Sequence, residues 1–135
     1  IEWLEKYAKK HGQVELDSNL KGHFVAPCMY EIHSLNQLAK EHFGPVLHII
    51  RFEANQLDKI IDDIHHSGYG LTLGIHSRID ETIAHIVKRA KVGNIYVNRN
   101  MIGAVVGVQP FGGEGLSGTG PKAGGPHYLA RLATE

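Results

Sequence analysis

The sequence is short of several things that would each have named a function class. It has one cysteine, Cys28, so an internal disulfide framework is excluded and a reducing compartment is the natural setting. Charge of one sign is missing too: 14 basic residues balance 14 acidic ones, which leaves no global field to draw the chain onto nucleic acid or an anionic membrane. No apolar run approaches the ~18 residues that span a bilayer, and no charged-then-apolar leader opens the chain. These absences point to a soluble, cytoplasmic protein with no nucleic-acid or membrane contact from this segment. At 135 residues the chain fits one domain by the usual prior of roughly 100–200 residues.

What is present is glycine. The stretch "VQPFGGEGLSGTGPKAGG", Val108 to Gly125, spends seven of its eighteen positions on it. Gly113, Gly115 and Gly118 spell G-x-G-x-x-G, the dinucleotide-binding fingerprint, but that motif needs a strand directly before it and a helix directly after. Pro110 interrupts the approach, and Pro121 with Gly124 and Gly125 prevents a following helix. A P-loop reading of Gly115 to Gly120 fails because Pro121 stands where the lysine belongs.

Hydrophobic periodicity supplies the framework. Leu57, Ile60, Ile61 and Ile64 fall at i, i+3, i+4 and i+7, predicting a helix from Asn55, as cap, to Ser67, ended by Gly68. "YGLTLGIHS" alternates Leu71, Leu73 and Ile75 as a strand does. Ile83, Ile86, Val87 and Ala90 predict a second helix, with Asp80 as N-cap and Gly93 as its end; "NIYVN" follows as a strand. Upstream, "HFVAPCMYEI" and "VLHIIRF" are β-rich runs around a short helix near Leu35 to Lys40, and "IEWLEKYAKKHG" reads as helix. The alternation defines an α/β class with a mostly parallel sheet and flanking helices. A long loop from Asn98 to about Pro126 carries most of the glycine, and loops of this length in compact domains are commonly functional. The uncapped start and the end just after an apolar patch suggest a piece of a longer protein.

Few side chains form a chemical constellation. The ten histidines are scattered, and adjacent His65 and His66 diverge on a helix, so no metal site is expected. Cys28 lies between Pro27 and Met29 without a cationic neighbour or helix start, which favours a packed small residue over a nucleophile. Asp62 and Asp63 sit on a polar helix face, where solvation explains them. Glu41 precedes the Gly44-Pro45 turn and the strand from Val46, where a carboxylate can accept two hydrogen bonds from a vicinal diol. Residue physics alone favours an exposed glutamate there.

"EHFGPV" at Glu41 to Val46 resembles the E-x-F-G-P motif of the aldehyde dehydrogenase superfamily. "GYGLTLGIHSR", "GNIYVN" and "QPFGGEGLSGTG" resemble the elements that follow it, in the same order, and these blocks cover nearly all of the chain from Phe24 onward. "NRNMIGAVVGVQPFGG" and "GPKAGGPHYLARLATE" are most similar to the glutamate-semialdehyde (1-pyrroline-5-carboxylate) dehydrogenases, above all those fused to a proline dehydrogenase. The resemblance implies the C-terminal part of a catalytic domain across residues 1–135. It gives Glu41 the hydroxyls of the nicotinamide ribose of NAD and Phe43 a place beside the nicotinamide. The loop at Gly103 and Ala104 would bind the substrate α-carboxylate through backbone amides, and Phe111 would wall the aliphatic part of glutamate semialdehyde. Some relatives carry serine at the position of Ala104, so a hydroxyl contact is lost here while the amide stays. The family's nucleophilic cysteine, oxyanion asparagine and general-base glutamate precede the E-x-F-G-P motif, so no catalytic residue is expected in this chain, and alone it should be inactive. The whole enzyme would be a homo-oligomer in proline catabolism, with FAD at an upstream proline dehydrogenase site if fused. Two alternatives stay open: a dehydrogenase for another semialdehyde or aldehyde, and a stand-alone binding module without its catalytic half.

Overall fold

A computed structural model describes residues 1–105, 107–118 and 120–133. The chain forms two units, residues 1–57 and 58–135, each with its own strands.

The first unit opens with helix α1 (Glu2–Tyr7), whose first turn carries Glu2 and Glu5 and whose last carries Lys6, the order that suits the helix dipole. Its periodicity reads on into "AKKHG", but there the backbone turns extended at Ala8 and continues as strand β1 (Lys9–Gln13). Pairing overrides propensity here. β1 runs antiparallel to β2 (Cys28–Glu31), with Gln13 opposite Cys28 and Lys9 opposite Glu31. A register shift between Lys10 and Gly12 leaves His11 as the extra residue of a bulge. His11 Nε2 lies 2.5 Å from Glu31 Oε2, and Arg51 Nε donates to Glu31 Oε1 at 3.0 Å. The hydrogen bond to His11 holds the Glu31 carboxyl below its usual range; desolvation opposes it, and the Arg51 charge adds a lesser lowering effect.

β2 supplies the core. Alternate residues Cys28, Tyr30 and Ile32 are buried on one face and pack with Leu4 from α1, each large apolar side chain contributing ~1.5–3 kcal/mol. Cys28 is a buried free thiol, the packed small residue its neighbours indicated. A 3-10 turn at Leu35–Gln37, closed by Gln37 Oε1 accepting from the Ser34 N–H at 3.1 Å, stands in the predicted short helix. β3 (Val46–Ile49) then joins β2 in parallel, Cys28 opposite Val46 and Glu31 opposite Ile49.

The second helix, α2 (Leu57–His66), buries Ile61 and ends at Gly68, whose φ of +77° is the left-handed conformation read from the sequence. Its start differs from the sequence reading: a 3-10 turn at Ala54–Gln56 precedes it, and Glu53, not Asn55, is the capping position, with its N–H donating to Gln56 Oε1 at 3.1 Å. Strand β4 (Tyr69–Gly70) is separated from β5 (Thr72–Ile75) by Leu71, so the predicted single strand is two, each paired with a different partner. In helix α3 (Asp80–Arg89) the N-cap position falls to Ile79 and Asp80 is the first helical residue, where its charge meets the dipole. No side chain among the described residues caps α3; Ser77 Oγ accepts from the Ile79 N–H at 3.1 Å in the turn that leads into it. α3 leads to β6 (Asn94–Val97), parallel to β5 with Thr72 opposite Asn94 and Ile75 opposite Val97. β7 (Glu114–Gly115) pairs antiparallel with β4. The architecture is α/β, with parallel pairs β2–β3 and β5–β6 and antiparallel additions at β1 and β7.

Ion pairs lock α2 to α3. His85 Nε2 lies 2.5 Å from Asp58 Oδ1, and Arg89 donates to Asp62 at 2.7 Å. The His85 hydrogen bond, then the Arg89 charge, keeps Asp58 below the ordinary aspartate range, with desolvation opposing. Asp62 and Asp63 are therefore paired rather than merely solvated, Asp63 with Lys59 at 2.6 Å. Among the described residues no helix is long and apolar enough to cross a membrane.

His48 on β3 borders a cavity of about 400 Å³ lined also by Trp3, Leu38, His42 and Phe43. Burial, and then the His42 charge, depresses the His48 pKa below 6.5. Because the unfolded chain binds the proton first, this contribution to stability is whole above pH ~6.5 and is lost as pH falls from there through the folded pKa. An NMR titration is expected to place the His48 midpoint below 6.5 and to move it upward, without full recovery, in His42→Gln. A wild-type midpoint at or above 6.5 would refute this.

Candidate active-site segment

The expected site residues fall in both units. In the first, Glu41 and Phe43 occupy the irregular stretch leading into β3; Glu41 is exposed and the Phe43 ring is 95% exposed. Among the described residues the Glu41 carboxylate has no hydrogen-bond partner; a carboxylate in that state can accept from a vicinal diol, and an uncovered ring such as Phe43, three positions before β3, can pack on a flat group.

In the second unit, Gly103, Ala104 and Phe111 are half-buried on the loop after β6. Gly103 takes φ +61°, which glycine adopts freely. Two residues of β6 hold this loop, and sequence reasoning missed both. Tyr96, 5% exposed, donates its hydroxyl proton to Gly103 O at 2.5 Å, and Gln109 Nε2 donates to the same Oη at 3.0 Å. Asn94 Nδ2 donates to Pro110 O at 3.0 Å while its Oδ1 accepts from the Gly112 N–H at 3.2 Å, so one carboxamide grips both sides of Phe111. Phe111 in turn exchanges both backbone hydrogen bonds with Ala123, at 3.0 and 2.9 Å. Asn94 and Tyr96 lie two apart on a strand and share a face. The signal was available: "NIYVN" places polar groups at alternate positions in what otherwise reads as a buried strand.

Among the described residues, neither Gly103 nor Ala104 donates its backbone N–H to a protein acceptor. Two adjacent free amides are an anion-binding arrangement that needs no basic side chain.

The glycine spelling G-x-G-x-x-G is architectural. Gly115 pairs with Tyr69 in the β4–β7 ladder, and the Ser117 and Gly118 N–H groups are consumed by Glu114 O and Gly115 O at 3.1 and 3.3 Å. A β-carbon on Gly118 would lie 2.4 Å from Gly113 O, and one on Gly115 the same distance from Gly68 O. Among the described residues no α-helix follows, only a 3-10 turn at Ala130–Leu132, and Lys122, the residue after Pro121, donates its ammonium to Gly93 O. Gly93 does not end α3, whose last turn closes with the Ala90 N–H on Ile86 O at 2.8 Å; it lies against the loop, where a β-carbon would stand 1.7 Å from Gly112 O. Of the scattered histidines, His65 accepts from the Lys91 N–H at 3.1 Å, and among the described residues no group of three or more His, Cys, Asp or Glu converges.

The chain belongs to the aldehyde dehydrogenase family, whose model matches residues 1–134. It is 68% identical over 114 residues to the bifunctional protein PutA of Klebsiella aerogenes, covering 84% of this chain and 9% of that protein. A crystal structure of a mutant of Bradyrhizobium japonicum proline utilization A superposes with a TM-score of 0.92 at 56% identity, covering 98% of this chain and 13% of that one. A 1-pyrroline-5-carboxylate dehydrogenase from Thermus with bound NAD matches with a TM-score of 0.82 at 36% identity, covering 96% and 25%. The chain thus spans a tenth to a quarter of the length of these relatives.

Replacing Gly93 by alanine is expected to destabilise the chain by about 3 kcal/mol, the upper end of overpacking costs, because the obstructing atom is a backbone oxygen. Gly120→Ala, with nothing within 4 Å of the new β-carbon, should stay within about 0.5 kcal/mol of wild type. Urea unfolding of the two variants tests the contrast, and equal midpoints would sink it.

Proposed function

We propose that this chain is the C-terminal segment of an NAD-dependent dehydrogenase that oxidises glutamate 5-semialdehyde to glutamate, within a protein that also carries a proline dehydrogenase module using FAD. The observation that carries the reading is the pair of unengaged amides at Gly103 and Ala104 on a pinned loop, in a chain of the aldehyde dehydrogenase family. The substrate is amphoteric, and neutral amides can hold its α-carboxylate without adding a cation that would repel its ammonium group. Phe111 walls the aliphatic chain. When bound, NAD supplies the hydride acceptor. Glu41 accepts hydrogen bonds from its ribose hydroxyls and Phe43 packs beside the nicotinamide, fixing where the acceptor face lies.

The nucleophile belongs to the remainder of the protein. Cys28 is 7% exposed in the core of its unit and cannot serve. The exposed apolar side chains of Ile102, Val105 and Val108, the first 85% exposed, suit a loop that meets further chain in the whole enzyme. This supports an inactive isolated segment and favours the enzyme reading over a stand-alone module.

The proposal makes two kinetic predictions for a full-length enzyme carrying this segment. Glu41→Ala should raise the KM for NAD about tenfold or more, the effect of losing a hydrogen bond to a charged group, and an unchanged KM would remove Glu41 from the cofactor site. Ala104→Leu should raise the KM for glutamate semialdehyde by an order of magnitude or so while leaving that for NAD alone. If turnover of glutamate semialdehyde instead survives Ala104→Leu intact, a dehydrogenase for another aldehyde becomes the better assignment.

A further inference from the structure

Resting on that reading, we propose that Asn94 and Tyr96 are positioning residues that set substrate specificity, holding the Gly103–Ala104 amides and the Phe111 ring in one frame from adjacent same-face sites on β6.

The argument begins with the peptide plane. Gly103 C=O and Ala104 N–H belong to the same planar trans unit, so they point in opposite directions, and fixing one aims the other. Tyr96 fixes the carbonyl at 2.5 Å, which turns the Ala104 N–H away from the strand. Gln109 decides the direction of that hydrogen bond: its amide nitrogen can only donate, so it occupies a lone pair of the hydroxyl and leaves the phenolic proton for Gly103. The Tyr96 ring cannot drift, being buried and having the Arg99 guanidinium 4.9 Å over its face.

Asn94 acts on the other segment. By binding Pro110 O and Gly112 N–H together it fixes the peptides on both sides of Phe111, and Ala123 completes the grip from the opposite edge. Both holders rise from one short strand locked in register with β5, so the distance from anchor amides to aromatic wall is set by two positions of a rigid element. That spacing sets how the aliphatic part of a semialdehyde lies relative to its anchored carboxylate, and so how chains of different length present their aldehyde end.

The test uses a full-length enzyme carrying this segment. Tyr96→Phe removes one oxygen and keeps the ring. It should raise the KM for glutamate semialdehyde about five- to tenfold, the worth of one net hydrogen bond, with kcat and the KM for NAD within about twofold of wild type. Asn94→Asp keeps the acceptor for Gly112 N–H but loses the donor to Pro110 O, and it should shift the preference among aldehydes of different chain length. Unchanged KM and chain-length preference in both variants would overturn the inference while leaving the functional reading intact. A fall in kcat on every aldehyde together with a lowered Tm would also overturn it, by showing a merely structural role. A wild-type enzyme inert towards glutamate semialdehyde would overturn both.

Discussion

The second unit depends on backbone meeting backbone where no side chain fits. The carbonyl of Gly112 occupies the place a β-carbon of Gly93 would take, Gly113 and Gly118 close on each other in the same way, and Gly115 lies against Gly68. Contacts this short let the loop cross directly over the start of β6 and add β7 to β4. The cost is conformational entropy, since glycine loses more freedom on folding than any other residue. It is offset by hydrogen bonds that leave few options: Ser117 Oγ accepts from Gly70 N–H, Lys122 binds Gly93 O, and Asn94 binds two peptides at once. The result is an ordered loop built from the residues least suited to order.

Polar side chains rather than apolar burial therefore decide where the proposed substrate residues lie. The described core of the second unit is thin, with Ile61, Ile75 and Tyr96 as its buried hydrophobics. Its shape is held by directional contacts, such as the Asn98 carboxamide bound to both Ser77 N–H and Ser77 O at 3.0 and 2.9 Å. Hydrogen bonds fix position more sharply than dispersion does, because they weaken steeply with angle and distance. A site that must discriminate chain length by one methylene benefits from that sharpness, since a methylene alone is worth only ~1–3 kcal/mol in a pocket.

The sequence made the framework legible where one physical rule acted alone. The 3.6-residue spacing of Ile60, Ile61 and Ile64 predicted α2, and Gly68 its end, because burial and the left-handed conformation are each local signals. Where a long-range partner decided the outcome, the sequence was silent or misleading. "AKKHG" continues a helical pattern yet becomes β1, since β2 offers a ladder that the sequence does not advertise. Asp80 and Asn55 are good capping residues in composition, but the backbone places Ile79 and Glu53 at the N-cap positions. The proposed site residues were named through resemblance to a family; the alternation in "NIYVN" marks Asn94 and Tyr96 as polar positions on one face, but their partners and that of Gln109, seven to eighteen positions away along the chain, come only from the coordinates.

Charge neutrality in the whole sequence has a counterpart at the proposed anchor. A cationic side chain there would bind any carboxylate strongly, in product as well as in substrate, and binding both equally gives no catalytic advantage. Two peptide amides are weaker donors, and their direction is set by the fold instead of by a flexible stem. Selectivity then comes from where they point, so the groups that aim them matter as much as the amides themselves. In the proposed arrangement that task falls to a tyrosine hydroxyl and an asparagine carboxamide, uncharged groups whose hydrogen bonds go to the loop.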